Sequence, residues 1–200
     1  MQVFQIDQTG FTAESKEVCV SSLKRGEIIC YPTETFYALG IDLWNADALS
    51  RLYHLKQRGI EKELPMIAGD FAQVALICDT TDPRVRVFAD KFWPGPLTLV
   101  LPAKTESRSF AIRISSHPVA REIARTFGRP IVSTSANRSG ERPISDPQFL
   151  TKDFEGAISV LLNAGLTSGE KPSTIVSLLE RPGKILREGV VSAAEIVSLL

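Results

Sequence analysis

Pro130-Ile131-Val132-Ser133-Thr134-Ser135-Ala136-Asn137-Arg138-Ser139-Gly140 reads as a short buried strand running out into a polar loop. The apolar start carries the strand. Ser133 to Gly140 then supplies hydroxyl and amide groups of little bulk, so backbone N–H groups and side-chain donors can come close to an anionic ligand. Taken alone, the octapeptide is no more than a polar turn, because Ser, Asn and Gly dominate turns. Its weight comes from recurrence elsewhere in the chain: a strand, then hydroxyls, then cations.

The nearest recurrence lies upstream. Ile28 to Tyr31 is an apolar run stopped by Pro32, and Thr33-Glu34-Thr35-Phe36-Tyr37-Ala38-Leu39-Gly40 follows at once. A loop leaving the carboxyl end of a strand is the usual ligand position in an α/β sheet. The third hydroxyl pair, Ser173-Thr174, precedes Ile175-Val176-Ser177-Leu178-Leu179, which reads as a strand. Thus three hydroxyl clusters, Thr33/Thr35, Ser133/Ser135 and Ser173/Thr174, are expected at strand ends.

Between them the chain alternates. Thr12 caps a helix over 12–25 that Gly26 terminates. Asn45 caps another, running to about Arg58 with Ala48, Leu49, Leu52, Tyr53 and Leu55 on its apolar side. The end of that helix is dense in cations: Lys56, Arg58 and Lys62. Strands are expected over 64–68, 97–101, 110–114, 158–162 and 184–187. Helices are expected over 70–77, 83–92, from Pro118 to the cap at Gly128, 146–154 and from Ser192 onward. Arg113 stands inside an apolar strand, where an arginine is rarely buried without an anionic partner. The pattern predicts one α/β domain over residues 1–200, with a twisted mixed sheet and helices packed on it.

Composition narrows the function. The chain has 200 residues, 23 cationic and 23 acidic, so no overall basic field points to nucleic acid, although a local basic groove is compatible with it. No apolar run reaches the length of a membrane span, and the amino terminus lacks a signal-peptide pattern. Cys19, Cys30 and Cys78 lie scattered in apolar surroundings without metal-ligand spacing, which suits free thiols in a reducing compartment, hence the cytoplasm. No metal site is expected.

Rival chemistries lack their motifs. The chain has no GxxxxGK[ST] loop and no GxGxxG after a strand. Its two histidines, His54 and His117, stand apart from any GxSxG elbow, so a hydrolase triad is disfavoured. Hydroxyls converging with arginines and lysines, without an activated nucleophile, suit phosphate and carboxylate binding. Catalysis would then come from positioning and charge stabilisation in phosphoryl or nucleotidyl transfer.

Six segments in order closely resemble the YrdC/TsaC family of threonylcarbamoyl-AMP synthases. They are Tyr31-Pro32-Thr33-Glu34-Thr35 with Leu39-Gly40, Lys56-Gln57-Arg58, Trp93-Pro94-Gly95-Pro96-Leu97-Thr98, Ser133 to Gly140, Pro172-Ser173-Thr174-Ile175-Val176, and Leu186-Arg187-Glu188-Gly189. The resemblance implies a twisted sheet around a large basic concave cavity. It implies a nucleotidyltransferase that joins L-threonine, bicarbonate or CO₂, and ATP with Mg²⁺ into threonylcarbamoyl-AMP and pyrophosphate. A partner transferase complex would carry the group to adenosine 37 of tRNA, giving the t6A modification, and weak binding of tRNA or double-stranded RNA would accompany it.

Carried over by position, the resemblance gives the triphosphate to Lys56 and Arg58, and the nucleotide phosphates to Ser135 and Asn137. Arg187 falls near ATP, and Ser109 and Ser145 match further nucleotide contacts. Thr33, Arg113, Ser133 and Ser173 match the threonine positions, with Arg113 facing the carboxylate. Two residues depart from the family pattern: Ala38 replaces a usual glycine and Ser115 a common proline. The alternative is an RNA-binding module that uses the same hollow without catalysis, with affinity falling steeply in salt.

Overall fold

A computed structural model describes residues 1–60, 63–150, 154 and 156–200. Its centre is a mixed sheet built from β1 (Gln2–Gln5), β2 (Ile28–Tyr31), β3 (Ala38–Ile41), β4 (Met66–Ile67), β5 (Leu97–Pro102), β6 (Ser109–Arg113), β7 (Ile131–Ser135), β8 (Ile158–Asn163), β9 (Thr174–Ser177) and β10 (Lys184–Arg187). Across the sheet they run β1-β8-β2-β3-β7-β4-β6-β5-β9-β10.

Helices cover both faces. They are α1 (Ala13–Lys24), α2 (Ala46–Lys56), α3 (Phe71–Ile77), α4 (Pro83–Phe92), α5 (Pro118–Phe127) and α6 (Ala193–Val197). Leu39, Val132, Met66, Ile112, Leu99 and Val176 share one face and bury themselves against α2, α3, α4 and α6 in two adjoining clusters. On the other face Ile29, Tyr31, Ala38, Ile67 and Ile131 pack against α1 and α5. Each fully buried aliphatic side chain contributes about 1.5–3 kcal/mol, so this double coverage fixes the sheet.

The expected helices and strands recur with shifted ends. Thr12 and Asn45 accept from the backbone N–H groups of Ser15 and Ala48, as helix caps do. The second helix stops at Lys56, two residues short of the expectation, because Gln57 takes a left-handed conformation with φ 49°. The strand expected over 64–68 contracts to Met66–Ile67. Beyond Asp146 a 3₁₀ turn, Pro147–Phe149, opens the expected helix, Leu150 is α-helical and the Phe154 N–H donates to the Leu150 carbonyl at 3.1 Å; residues 151–153 of that expectation, and Lys62, lie outside the described residues. Two strands were not expected: β1, and β3 within what reads as a loop.

Candidate functional site

Strand register builds the site. Ala38 and Gly40 of β3 pair with Ser135 and Ser133 of β7; Ile67 of β4 pairs with both Ile131 and Arg113. Leu99 pairs with Ile112 and Thr98 with Ile175, which sets Thr98 beside Arg113. Side chains alternate across a strand. Ala38, Ser133, Ser135, Ala111, Arg113, Thr98 and Ile175 therefore point to the same side of the sheet as the α1 and α5 contacts, with Ala38 at the margin of the part those helices cover and the others beyond it.

There they line a cavity of about 360 Å³. Thr33 and Thr35 enter from the loop after β2, Arg58 from beyond α2, Ser173 from just before β9 and Arg187 from β10. This corrects one expectation: Ser133 and Ser135 stand on a sheet face, within β7, and not in a loop at its end. Pairing with β3 on one side and β4 on the other keeps the strand regular through the hydroxyl residues.

Lys56 has a different place. Its ammonium is buried and donates to the carbonyl oxygens of Ser135 at 2.5 Å and Asn137 at 2.8 Å. Its own carbonyl accepts from the Ser139 N–H at 2.8 Å. Lys56 thus braces the Ser135–Ser139 turn from behind and is not part of the cavity wall. Burial, reinforced by the charge of Arg58, pushes its ammonium down to about 8. The left-handed Gln57 turns the chain so that Arg58 reaches the cavity, where it donates to the Glu63 carbonyl at 2.9 Å.

Within the brace, the Ser135 hydroxyl bonds Asn137 Oδ1 at 2.5 Å. Asn137 Nδ2 donates to the carbonyls of Arg138 and Glu141, both at 2.8 Å. Across the cavity Arg187 donates twice to the Ser173 carbonyl, at 2.7 and 3.1 Å, while the Ser173 and Thr98 hydroxyls lie 2.9 Å apart. Thr33 Oγ1 donates to the Phe36 carbonyl at 2.7 Å and lies 3.0 Å from Thr35 Oγ1, which shapes the loop after β2.

Arg113 is buried, and burial holds its guanidinium down at about 10, with Arg187 as a nearby like charge. It forms an ion pair with Glu34, as the sequence argument about a buried arginine requires. The Ser133 hydroxyl is also buried and makes no well-formed hydrogen bond among the described residues. Among the described residues three guanidinium groups, Arg58, Arg113 and Arg187, line the cavity with one carboxylate, Glu63, and Arg113 is paired behind the wall with Glu34, a balance that still leaves donors for an anionic ligand.

Of the predicted residues, Thr33, Arg58, Arg113, Ser133, Ser135, Asn137, Ser173 and Arg187 share this cavity. Ser109 instead lines a neighbouring hollow of about 450 Å³ that meets the first at Glu63 and Ala111. Ser145 lies outside both walls; its carbonyl accepts from Thr167 N–H at 3.0 Å. Residue-type reasoning missed Thr98, Glu63 and the partner of Arg113, Glu34. Thr98 alternates within an ordinary strand pattern, and only the register places it beside Arg113.

The Sua5/YciO/YrdC family model, described as "Telomere recombination", matches residues 21–189. The chain is similar to a protein named threonylcarbamoyl-AMP synthase from Serratia proteamaculans, 38% identical over an alignment of 183 residues that covers 85% of this chain and 94% of that one. It is 35% identical over 176 residues to one of the same name from Coxiella burnetii, covering 84% of this chain and 94% of the relative. Among solved structures it resembles P. abyssi Sua5 complexed with L-threonine, with a TM-score of 0.91 and 27% identity. That match takes in all of this chain and 61% of the Sua5 chain.

Proposed function

Because the chain belongs to the Sua5/YciO/YrdC family, we propose that it is a threonylcarbamoyl-AMP synthase. The observation that carries this reading is a single cavity lined by all four predicted threonine residues and by four of the seven predicted nucleotide residues, Lys56, Ser109 and Ser145 lying outside it. Arg113, Ser133, Thr33 and Ser173 would take the amino acid, and Arg58, Ser135, Asn137 and Arg187, which borders Ser173, the nucleotide.

The chemistry follows from that juxtaposition. The uncharged amine of L-threonine adds through its lone pair to the carbon of CO₂ and gives up a proton, forming a carbamate. A carbamate oxygen then attacks the α-phosphorus of ATP, the bond from that phosphorus to the oxygen bridging to the β-phosphate breaks, and pyrophosphate leaves; Mg²⁺ bound with ATP would offset part of its charge. Threonylcarbamoyl-AMP remains. Arg113 holds the threonine carboxylate, and Arg58 and Arg187 bear the charge developing on the phosphates. Ser135 and Asn137, set by the Lys56 brace, orient the nucleotide. No protein nucleophile is required, since holding two fragments in attack geometry supplies much of the acceleration. A recessed wall also shields the labile product from water.

The product passes to a partner threonylcarbamoyl transferase that modifies tRNA. Ser109, in the adjoining hollow, reaches the nucleotide only if ATP extends past Glu63, and Ser145 acts on the site through the 167–169 loop. The test is pyrophosphate release from MgATP with bicarbonate, with and without L-threonine. Release that depends on threonine is expected. Tight, salt-sensitive tRNA binding without ATP turnover would replace this reading by the RNA-binding one.

A further inference from the structure

Glu34 and Ser115 form a polar chain on Arg113 that no functional reading so far uses. One carboxylate oxygen of Glu34, Oε1, contacts Arg113 Nη1; the other, Oε2, accepts from the Ser115 hydroxyl. Ser115 is fully buried and its hydroxyl in turn accepts from the His117 N–H at 3.1 Å. Glu34 is held from its backbone as well, because its carbonyl accepts from the Ser168 hydroxyl at 2.7 Å. The next carbonyl, of Thr35, accepts from the Gly169 N–H at 2.8 Å. This carboxylate is therefore fixed at both ends.

The geometry matters because Arg113 is shared. It belongs to the cavity wall, whereas Glu34 does not. Glu34 Oε1 meets Nη1 as an ion pair, with neither atom making a well-formed hydrogen bond; among the described residues no protein group accepts from Nε or Nη2, and neither of these is buried, so both remain open. A guanidinium is a planar fork, so a fixed contact on one arm sets the direction of the other donors.

On the reading given under Proposed function, we infer that Glu34, aligned by Ser115, is the positioning residue that aims Arg113 at the amino-acid carboxylate. Glu34 does not touch the substrate. It acts through Arg113, and the Ser115 hydroxyl takes over an alignment that a proline at that position could not supply, proline having no side-chain donor.

The test is the binding of L-threonine and of MgATP, measured separately by calorimetry, to the wild-type protein, Glu34→Gln and Ser115→Ala. Loss of the charge-assisted contact is expected to weaken threonine binding about tenfold or more in Glu34→Gln and a few-fold in Ser115→Ala. MgATP affinity should stay within about twofold in both. In an Arg113→Lys background the fork is already gone, so Glu34→Gln should add little there. Unchanged threonine affinity in Glu34→Gln overturns the inference. Tighter threonine binding overturns it too, because Glu34 would then be competing with the substrate. Parallel loss of both ligands with a fall in melting temperature would mean that the contact is only structural. If the wild-type protein binds no threonine, the synthase reading fails first and this inference falls with it.

Discussion

Lys56 Nζ reaches the Ser135 carbonyl at 2.5 Å, so the last residue of α2 holds the last residue of β7. Two sequence motifs far apart in the chain are thereby one structural unit. Removing the ammonium leaves the Ser135 and Asn137 carbonyls without their buried donor. Lys56→Met should cost about 2–4 kcal/mol of folding stability, read from urea unfolding at pH 7. It should also depress activity by letting the Ser135–Ser139 turn relax. A variant as stable as the wild type would show that the turn stands without its brace.

The same residue makes stability depend on pH. Its folded value, about 8, lies below the ordinary 10.5 of a lysine, so between these values the unfolded chain binds more protons. Stability contributed through Lys56 must then rise with pH across that window, by about 3 kcal/mol in total. Buried thiols at Cys19, Cys30 and Cys78, all pushed up by burial, oppose this above pH 9. The quantity to measure is therefore the wild-type minus Lys56→Met difference in unfolding free energy from pH 7 to 10.5. A flat difference would contradict the burial of the ammonium.

Much of this site was readable before any coordinates, and the unread part has a physical cause. Hydroxyls, amides and arginines announce themselves by type, which is why eight of the predicted residues meet in one cavity. Their arrangement on a sheet face was hidden, because it depends on the pairing of β7 with β3 and β4. Strand β3 was itself unreadable: Ala38-Leu39-Gly40-Ile41 is buried on both faces and shows no alternation. Gly40 breaks the propensity further, yet a methyl group there would meet the Tyr31 ring at 2.6 Å. Glu34 looked like one more polar loop residue; its role needs the fold to bring Arg113 and Ser115 to it.

Ser133 offers a separation of binding from stability. Its hydroxyl is buried in the cavity wall without a well-formed partner among the described residues. The Tyr31 hydroxyl lies beside it without a well-formed bond, so little is lost on deletion and Ser133→Ala should leave stability within about 1 kcal/mol of wild type or raise it. Threonine affinity should nevertheless fall about fivefold to tenfold, since the ligand loses a hydrogen bond that nothing else supplies. Calorimetric titration beside a melting curve reads both. Loss of stability without loss of affinity would remove Ser133 from the binding set.

Gly189 ends the Leu186–Gly189 motif for a steric reason. A Cβ there would lie 2.1 Å from the Pro172 carbonyl oxygen and 2.7 Å from the Ser173 carbonyl carbon, both backbone atoms. The Gly189 N–H also donates to Thr174 Oγ1 at 2.9 Å. Gly189→Ala must therefore displace the segment that carries Ser173 and holds Arg187. A loss of about 2–4 kcal/mol is expected, with a fall in activity larger than stability alone explains. Wild-type kinetics in the folded fraction would argue that Ser173 tolerates the shift.

Arg58 should behave as the opposite of Lys56, although the two are separated by a single residue. Its guanidinium lies half-buried at the cavity wall and its bond to the Glu63 carbonyl is exposed, unlike the buried bond of Lys56 to the Asn137 carbonyl. Arg58→Ala should hold its melting temperature within about 2 °C of wild type, as surface-like substitutions do. Turnover is a different matter, since the positive charge facing the phosphates is worth most as pyrophosphate departs. The rate constant kcat/KM for MgATP should drop about 100-fold or more, with the threonine KM changed far less. Arg58→Lys keeps the charge but loses the fork, and should recover only part of that loss. The measurement is steady-state pyrophosphate release at varied MgATP and at varied threonine. Wild-type turnover by Arg58→Ala would take Arg58 out of the phosphate site and leave Arg187 to serve it alone.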